Sequence, residues 1–273
     1  MTDHYAVMGN PIAHSKSPRI HAAFASQTQQ DLDYTAILVE PGCLKQAVEN
    51  FRQQGGHGLN ITVPFKTDAF ALADQHSDRA LKAEAANTLV LNKDGSLFAD
   101  NTDGVGLVRD LTHNHGLSLQ GKRILVLGAG GAVQGVLLPL LMERPQRLVI
   151  ANRTAEKAVA LANKFTGAGN VSGGGFEALA GEQFDLIING TAASLKGEVP
   201  AIPDTILAEG GVCYDMMYSN EPTAFVRWGL EHAASQSLDG LGMLVEQAAE
   251  SFRLWRGGQA DTVPVIQFLR DSE

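Results

Sequence analysis

The segment "LVLGAGGA" (Leu125–Ala132) is an apolar run that leads directly into a glycine-rich turn. It lies within a longer uncharged segment, Ile124–Met142, whose length approaches that of a membrane helix. The central glycines and Pro139 argue against a membrane helix, because a buried parallel strand, a turn and a buried helix explain the composition better. We therefore predict a strand–turn–helix unit here and no membrane span.

The alternation of an apolar strand with a helical segment continues through the middle of the chain. Short apolar segments are separated by helical lengths of sequence, which is typical of βαβ units and of a parallel sheet. These segments are "RILVLGAGG" (123–131), "RLVIANR" (147–153), "FDLIINGT" (184–191) and "GVCYDMMY" (211–218). They predict a Rossmann-like parallel-sheet domain over residues 103–238.

The rest of the chain predicts a second domain, made of residues 1–102 and 239–273. Ser17 followed by Pro18 is typical of a helix N-cap. An amphipathic helix within 240–258 is expected to pack back onto this domain. Strands and an Asp-Gly hairpin are predicted at "YAVMG" (5–9), "YTAILVE" (34–40), "GLNITV" (58–63) and "NTLVLNKDGSLFADN" (87–101). The predicted fold class is α/β, with a substrate domain, a cofactor domain and a cleft between them.

Composition and charge limit the possible partners. The chain has 273 residues, of which 44% are hydrophobic, and a formal net charge of -9. This charge argues against a nucleic-acid partner, so an anionic ligand must be held by a few local cations, hydroxyls or backbone amides. Cys43 and Cys213 are predicted to be buried thiols without a bond, and no signal peptide is visible, which favours the cytoplasm. The sequence leaves open whether the protein is a monomer or a homodimer.

The glycine-rich turn predicts a dinucleotide site. Gly128 and Gly130 match the first two positions of the G-x-G-x-x-G template, whereas Val133 occupies the third. Such a turn lets the backbone approach a pyrophosphate at a helix N-terminus. Where an NAD site expects a carboxylate, about 20 positions on, this chain has Arg153, whose paired donors suit a 2′-phosphate. The cofactor is therefore predicted to be NADP, although a ligand-free turn and a solvated arginine remain alternative interpretations.

The segment "NITVPFK" (Asn60–Lys66) begins as a strand and delivers a lysine just past a proline. Ile61 and Val63 are predicted to lie on a buried face, with Asn60 and Thr62 on a polar face. The polar face would then carry an amide and a hydroxyl close to the lysine. By residue types alone, a solvated lysine at a strand end is the commoner situation.

Hydride transfer to a ketone also requires a proton donor for the nascent alkoxide. No tyrosine is followed by lysine four places later, and two distant cysteines with scattered histidines form no zinc site, so no metal is predicted. Lys66 is the best remaining donor. Asp103, in "DNTDG" (100–104), is the carboxylate expected to hold its ammonium at the junction between the domains.

These motifs resemble the shikimate 5-dehydrogenase family along most of the chain. The resemblance implies an NADP-dependent oxidoreductase that reduces 3-dehydroshikimate to shikimate in aromatic amino acid biosynthesis, with Lys66 as the acid/base. Arg153 and Lys157 favour this biosynthetic enzyme over the quinate-using branch, which prefers NAD. The matching blocks are "GNPIAHSKSP", "NITVPFK", "AEAANTL", "DNTDGVG", "LGAGGA", "NRT", "YDMMY" and "DGLGMLVEQAA".

The resemblance also implies roles for individual residues. The substrate carboxylate would be bound by Ser15, Ser17 and Tyr218, and the ring hydroxyls by Thr62, Asn87 and Gln247 together with Lys66 and Asp103. The cofactor pyrophosphate would lie against Gly128, Ala129, Gly130, Gly131 and Ala132. The adenosine phosphate would be surrounded by Asn152, Arg153, Thr154 and Lys157. The nicotinamide would lie beside Met216 and Gly240, with Asp78 at the cofactor edge.

The sequence departs from the family pattern at two places. "NGTAASLKG" (189–197) replaces an Asn-Ala-Thr-Ser type of segment, and Gln134 stands where an arginine often occurs. The second departure predicts one cationic contact fewer to the cofactor. Two other functions stay open from the sequence: a dehydrogenase acting on quinate or another hydroxy acid, and an NADPH-binding sensor without turnover.

Overall fold

The computed structural model describes residues 2–272, apart from the side chain of Leu195. The chain forms two compact units. The first unit contains the residues up to Gly106 together with Val245–Ser272, and the second contains Leu107–Leu244. The chain passes from the first unit to the second after residue 106 and returns after residue 244, whereas the sequence predicted these boundaries after residues 102 and 238.

The elements of the first part of the chain are β1 (Asp3–Gly9), α1 (Ser17–Thr28), β2 (Leu32–Leu38), α2 (Leu44–Gln53), β3 (Gly56–Ile61), α3 (Lys66–Leu72), β4 (Gln75–His76), α4 (Asp78–Ala83), β5 (Thr88–Leu91), β6 (Leu97–Asp100) and α5 (Asp103–Arg109). There follow β7 (Arg123–Leu127), α6 (Gly131–Met142), β8 (Arg147–Ala151), α7 (Ala155–Phe165), β9 (Val171–Gly174), β10 (Phe184–Asn189), β11 (Leu207–Asp215), α8 (Ala224–Glu231), β12 (Gln236–Leu238), α9 (Leu241–Arg256) and α10 (Val263–Asp271). A π-helical turn, Asp110–Asn114, continues α5.

The first unit is built on a mixed sheet with the strand order β2-β1-β3-β5-β6-β4 within the described residues. Strands β1, β2 and β3 are parallel, whereas β5 pairs antiparallel with β3 and with β6, as the predicted hairpin requires. Helix α9 packs on this sheet: the Trp255 indole donates to the carbonyl of Leu89 at 3.0 Å. Gly58 makes room for the indole, since a Cβ there would lie 2.4 Å from its nitrogen. The prediction that the C-terminal helix packs on the first domain is confirmed.

The prediction of which residues of "NITVPFK" lie on the buried face and which on the polar face was wrong in part. Val63 is 59% exposed and Asn60 only 6% exposed. The reason is that β3 ends at Ile61, so the alternation of a strand does not continue to Val63. Asn60 lies on a buried face of the sheet, where it hydrogen-bonds to a serine of α9.

Two helix details also differ from the prediction. Ser17 is the first residue of α1 rather than its N-cap, which is Lys16. Instead, the hydroxyl of Ser15 accepts the Ser17 backbone N–H at 3.3 Å, so it satisfies a donor at the helix start. Helix α6 runs through Pro139 without ending there. In the part of the chain that the structure describes, no helix combines the length and the apolar character needed to cross a membrane.

The second unit contains a sheet with the order β9-β8-β7-β10-β11-β12 within the described residues, and its paired strands are parallel. This is the doubly wound order 3-2-1-4-5-6 of dinucleotide-binding folds. Both faces are buried: Ile124 and Val126 lie in one core cluster, and Leu125 and Leu127 in another. A strand covered on both faces has no polar side, which explains the unbroken apolar run of the opening segment.

A buried ion network joins three elements of the first unit. Arg79 donates two hydrogen bonds to the carboxylate of Asp100 at 2.7 Å and one to Glu250 at 2.8 Å. The side chains of Asp100 and Glu250 are each 3% exposed. Arg79 is therefore the counterion of Asp100, shares Glu250 with Arg253, and connects α4 and β6 to α9.

The two cysteines lie in different environments. Both are unpaired, but Cys43 is exposed and Cys213 is buried in β11. The prediction that Cys43 is buried was wrong, because it precedes α2 and does not belong to the buried face of that helix, formed by Leu44, Val48 and Phe51. Burial raises the pKa of the Cys213 thiol to about 12.

Replacing Arg79 is expected to destabilise the protein strongly. In Arg79→Ala, Asp100 stays buried without its cation, and removing one partner of a buried ion pair typically costs ~3–5 kcal/mol of unfolding free energy. Urea denaturation measures the change. Arg147→Ala, which breaks the partly exposed pair with Glu182, is the control and should have little effect. Equal losses in the two variants would contradict the role of the buried network.

Thiol labelling is expected to distinguish the cysteines. Only thiolates react readily, so dithionitrobenzoate should modify Cys43 quickly in the native protein and Cys213 only after denaturation. The absorbance of the released thionitrobenzoate gives the number of thiols modified per chain. Cys43→Ser should abolish the fast phase and Cys213→Ser should leave it intact. Rapid modification of Cys213 in the native protein would be inconsistent with its burial.

Candidate functional site

Lys66 and Asp103 form an ion pair in the first unit. The lysine is the first residue of α3 and the aspartate the first residue of α5. The Lys66 ammonium donates to Asp103 Oδ2 at 2.5 Å, with the side chains 24% and 10% exposed. A pair that is mostly buried but reached by solvent at the amine can hold a proton close to a bound ligand.

The second oxygen of Asp103 is fixed by an amide. Asn87 Nδ2 donates to Asp103 Oδ1 at 2.8 Å and to Gln247 Oε1 at 3.1 Å. The Thr102 backbone N–H donates to Asn87 Oδ1 at 2.8 Å. Because a backbone N–H can only donate, this contact identifies the amide oxygen and leaves the Asn87 NH₂ group facing Asp103. The arrangement orients the carboxylate with one oxygen toward Asn87 and the other toward the lysine.

A buried polar layer supports Asn87 from below. Tyr34 donates its hydroxyl proton to Asn60 Oδ1 at 2.7 Å. Asn60 Nδ2 lies 3.1 Å from the backbone carbonyl of Asn87, 3.2 Å from the Thr88 hydroxyl and 3.0 Å from the Ser251 hydroxyl. The Thr88 and Ser251 hydroxyls are themselves 2.7 Å apart. These contacts tie β3, β5 and α9 together next to Asn87, the residue that holds Asp103.

The same layer reaches the start of α1. Burial raises the pKa of the Tyr34 phenol well above its ordinary value, and the Ser17 side chain opposes that rise. His21, one turn after Ser17 on α1, stacks on the Tyr34 ring with the centroids 4.1 Å apart. Burial lowers the pKa of His21 to about 3, and neither ring nitrogen has a hydrogen-bond partner among the described residues. His21 therefore connects α1, through Tyr34 and Asn60, to the residue that holds Asp103.

Other predicted substrate residues lie at the ends of these elements. Ser15 is partly exposed beside the start of α1, and Thr62 is partly exposed just after β3. The Thr62 carbonyl accepts the N–H of Phe65 at 3.0 Å, which forms the turn that leads to Lys66. Asp78 is exposed at the start of α4. Tyr218 belongs to the second unit, where it follows β11 and burial raises its pKa.

The glycine-rich turn of the second unit follows β7 at the point where the strand order reverses. Gly128 has φ +107°, and a Cβ there would lie 3.2 Å from the carbonyl oxygen of Gly190, so only glycine fits without strain. Gly130 and Gly131, by contrast, face open space. No side chain caps α6, which leaves its first N–H groups for an anion. The turn therefore fits a pyrophosphate.

Close contacts surround this turn. Val133, at the third template position, is buried, and a Cβ at Gly190 would lie 2.4 Å from its methyl group. A Cβ at Gly240 would lie 2.3 Å from the carbonyl oxygen of Met216. The loop after β10 therefore packs against the base of α6, and Met216 and Gly240 are neighbours, as their shared expected role requires.

A cavity of about 380 Å³ lies beside the strand ends of the second unit. We call it the Arg153 cavity. Its volume is in the range typical of small-ligand sites. It is lined by Asn152, Arg153, Phe176, Thr191, Ala192, Ala193, Lys196, Glu198, Val199, Pro200 and Ala201. Arg153 thus stands beside a space with an apolar wall suited to a purine, whereas Lys157 lies exposed on α7 and Thr154 is the N-cap of that helix.

A buried carboxylate holds one wall of this cavity. Asp215 accepts hydrogen bonds from Asn189 at 3.1 Å, from Ser194 at 2.5 Å and from Thr223 at 2.6 Å. Burial raises the pKa of Asp215. These bonds connect the ends of β10 and β11 to the short 3₁₀ helix Ala193–Lys196, so they position the loop that carries Lys196.

Sequence reasoning missed several of these residues. Tyr34, Thr88 and Ser251 were not singled out, although polar residues within apolar strands and helix faces are a usable signal of a buried network. Asn60 was noticed only as a polar strand residue. Lys196 had no sequence signal, because nothing in "SLKGE" shows that this lysine lines the same cavity as Arg153.

Comparisons with protein families match most of the chain. Residues 7–89 match the shikimate dehydrogenase substrate binding domain, and residues 110–196 match the shikimate/quinate 5-dehydrogenase model. Residues 240–269 match the shikimate 5′-dehydrogenase C-terminal domain. The three matches lie one after another along the chain and do not overlap.

Individual proteins give the same result. The shikimate dehydrogenase (NADP(+)) of Nitrosococcus oceani is 57% identical over 270 residues, covering 99% of this chain and 96% of its own. The crystal structure of an Ael1 enzyme from Pseudomonas putida has a TM-score of 0.92 and 46% identity over 98% of both chains. Shikimate 5-dehydrogenase from Thermus thermophilus, solved with NADP(H) and shikimate, has a TM-score of 0.88 and 30% identity over 100% of both chains.

Proposed function

The chain belongs to the shikimate dehydrogenase family, and we propose that it catalyses the reversible NADP-dependent reduction of 3-dehydroshikimate to shikimate. This reaction is a step of aromatic amino acid biosynthesis, on the way to chorismate. The observation that carries the proposal is the Lys66–Asp103 ion pair, held by Asn87 beside Gln247 in the first unit. A binding sensor without turnover would have no need of this pair.

The first unit would bind the substrate. A small polyhydroxylated acid offers little apolar surface, so its affinity must come from directed hydrogen bonds. Ser15 and Ser17, with the hydroxyl of Tyr218, would bind the carboxylate. Thr62, Asn87 and Gln247 would bind the ring hydroxyls.

The second unit would hold the cofactor. The open N–H groups at the start of α6, over residues 128–132, would bind the pyrophosphate, and Asn152, Arg153, Thr154 and Lys157 would surround the adenosine 2′-phosphate. Met216 and Gly240 would border the nicotinamide, and Asp78 would reach the cofactor edge. When bound, NADPH supplies the hydride for the ketone carbon.

Lys66 would supply the proton. As the ketone is reduced, its oxygen gains negative charge, and the ammonium donates a proton to that oxygen. In the oxidation of shikimate, the neutral amine takes the proton from the same hydroxyl. Asp103 would not react: one of its oxygens accepts a hydrogen bond from Lys66 and the other accepts one from Asn87, so it keeps the amine in one orientation.

The unpaired state of Cys43 and Cys213 supports a cytoplasmic location.

Lys66→Ala is expected to lower turnover by at least about a hundredfold, because general acid/base catalysis typically contributes ~10²–10⁴-fold. NADPH binding should remain near normal, since Lys66 belongs to the other unit. NADPH absorbance with shikimate, quinate and no substrate measures the reaction, and fluorescence titration measures the affinity. Lys45→Ala, an exposed lysine on α2, is the matched control. Turnover that barely changes would assign proton transfer to water or another group.

Arg153→Ala is expected to weaken NADPH about tenfold or more, because hydrogen bonds to charged groups contribute ~1.5–3 kcal/mol. NADH use should hardly change, since NADH has no 2′-phosphate. Steady-state kinetics with both cofactors make the comparison, with Arg227→Ala, an exposed arginine on α8, as the control. Equal losses for NADPH and NADH would refute the assignment of Arg153 to the 2′-phosphate.

A further inference from the structure

Lys196 is a cation without an assigned role. It ends the 3₁₀ helix Ala193–Lys196 and lines the Arg153 cavity. Within residues 2–272, no carboxylate pairs with its ammonium or with the Arg153 guanidinium. Two cations from different loops therefore line one space, and neither forms an ion pair with a described carboxylate.

The charges around this cavity do not balance without Lys196. Glu198 lines the same space, so Arg153 alone would be offset by one carboxylate, while Arg153 and Lys196 together leave one net positive charge. A phosphate monoester carries a charge of about -1.5 to -2 at pH 7. The chain as a whole has a net charge of -9, so it supplies no general attraction for an anion. A second cation is therefore expected to strengthen the binding of a 2′-phosphate here.

Lys196 lies on the loop after β10, which Asp215 anchors through Ser194 and Asn189. The anchored loop therefore holds Lys196 beside the Arg153 cavity. Lys157, the other lysine expected near this phosphate, is exposed on α7 and is not among the residues that line the cavity.

We propose that Lys196 is a second cationic ligand of the cofactor's 2′-phosphate and, with Arg153, determines the preference for NADP over NAD. This inference rests on the proposed function. Arg153 supplies paired, planar donors, whereas Lys196 supplies a mobile point charge that offsets Glu198. Lys196 would act on specificity rather than on the chemical step, because it lines the Arg153 cavity of the second unit, whereas Lys66 and Asp103 belong to the first unit.

The experiment is calorimetric titration with adenosine 2′,5′-bisphosphate and with adenosine 5′-monophosphate, which lacks the 2′-phosphate. Lys196→Ala should weaken the bisphosphate about three- to tenfold, the range of a single partly exposed charged contact, and leave the monophosphate unchanged. The loss should shrink as salt rises from about 0.05 to about 0.5 M, because screening weakens an exposed contact. Lys196→Arg should retain most of the affinity.

Lys122→Ala is the matched control. This exposed lysine of the same unit precedes β7, at the amino end of a strand whose carboxyl end carries the glycine-rich turn. Its removal changes the net charge equally, so an equal effect in both variants would overturn the role of Lys196. Steady-state kinetics should agree: Lys196→Ala should lower kcat/KM for NADPH by the same factor and leave kcat/KM for NADH unaltered.

The outcomes separate this inference from the function on which it rests. If the unmodified protein binds the two nucleotides equally, the NADP assignment itself fails. If it prefers the bisphosphate and only Arg153→Ala removes that preference, the function stands and the role of Lys196 is overturned. A loss in both Arg153→Ala and Lys196→Ala, with none in Lys122→Ala, supports the proposal.

Discussion

The contact between the Lys66 ammonium and the Asp103 carboxylate is the constraint around which the first unit is organised. A mostly buried pair of opposite charges is favourable only if its geometry is good and its other hydrogen-bonding groups are satisfied. Asn87 satisfies the second oxygen of Asp103, and the Thr102 backbone N–H fixes Asn87 in turn. The orientation of one carboxylate thus depends on a backbone group whose position is set by the sheet.

Larger parts of the first unit support the same contact. The layer of Tyr34, Asn60 and Ser251 holds three elements of this unit together. The network around Arg79 fixes Asp100, three residues before Asp103, and joins it to the helix that carries Gln247. Polar groups buried in this number are costly unless each finds a partner, and here most do. The second unit differs at its expected ligand site, where it offers the backbone of the turn at Gly128 and the cationic side chains that line the Arg153 cavity.

The sequence predicted the order of strands and helices because each segment carries its own periodicity and its own turn residues. The parallel sheet of the second unit followed from apolar runs such as Ile124–Leu127, whose burial on both faces leaves no polar position. The pairing of Lys66 with Asp103 was predicted from residue types and family resemblance, and the structure places the two groups in contact.

What could not be predicted depends on contacts between distant segments. Val63 and Asn60 were assigned to the wrong faces, because the alternation of a strand says nothing once the strand ends or a helix covers its polar side. Cys43 was assigned to the interior because its neighbours are apolar, yet it precedes the helix whose face they form. Lys196 and Arg153 lie 43 positions apart in the numbering, and only the folded loops show that they share a cavity.

The imidazole of His21 has a consequence for behaviour in acid. The ring is wholly buried against aromatic neighbours, and burial keeps its pKa at about 3, whereas an unfolded chain would bind a proton on this ring near pH 6.5. Between these two values the unfolded state holds more protons, so this residue makes unfolding progressively easier as the medium is acidified below about pH 6.5. The folded ring stays neutral in this range, so the proton is taken up as the chain unfolds. Mild acidity should therefore weaken the framework around Ser17 and Tyr34 through an internal group that takes no part in catalysis.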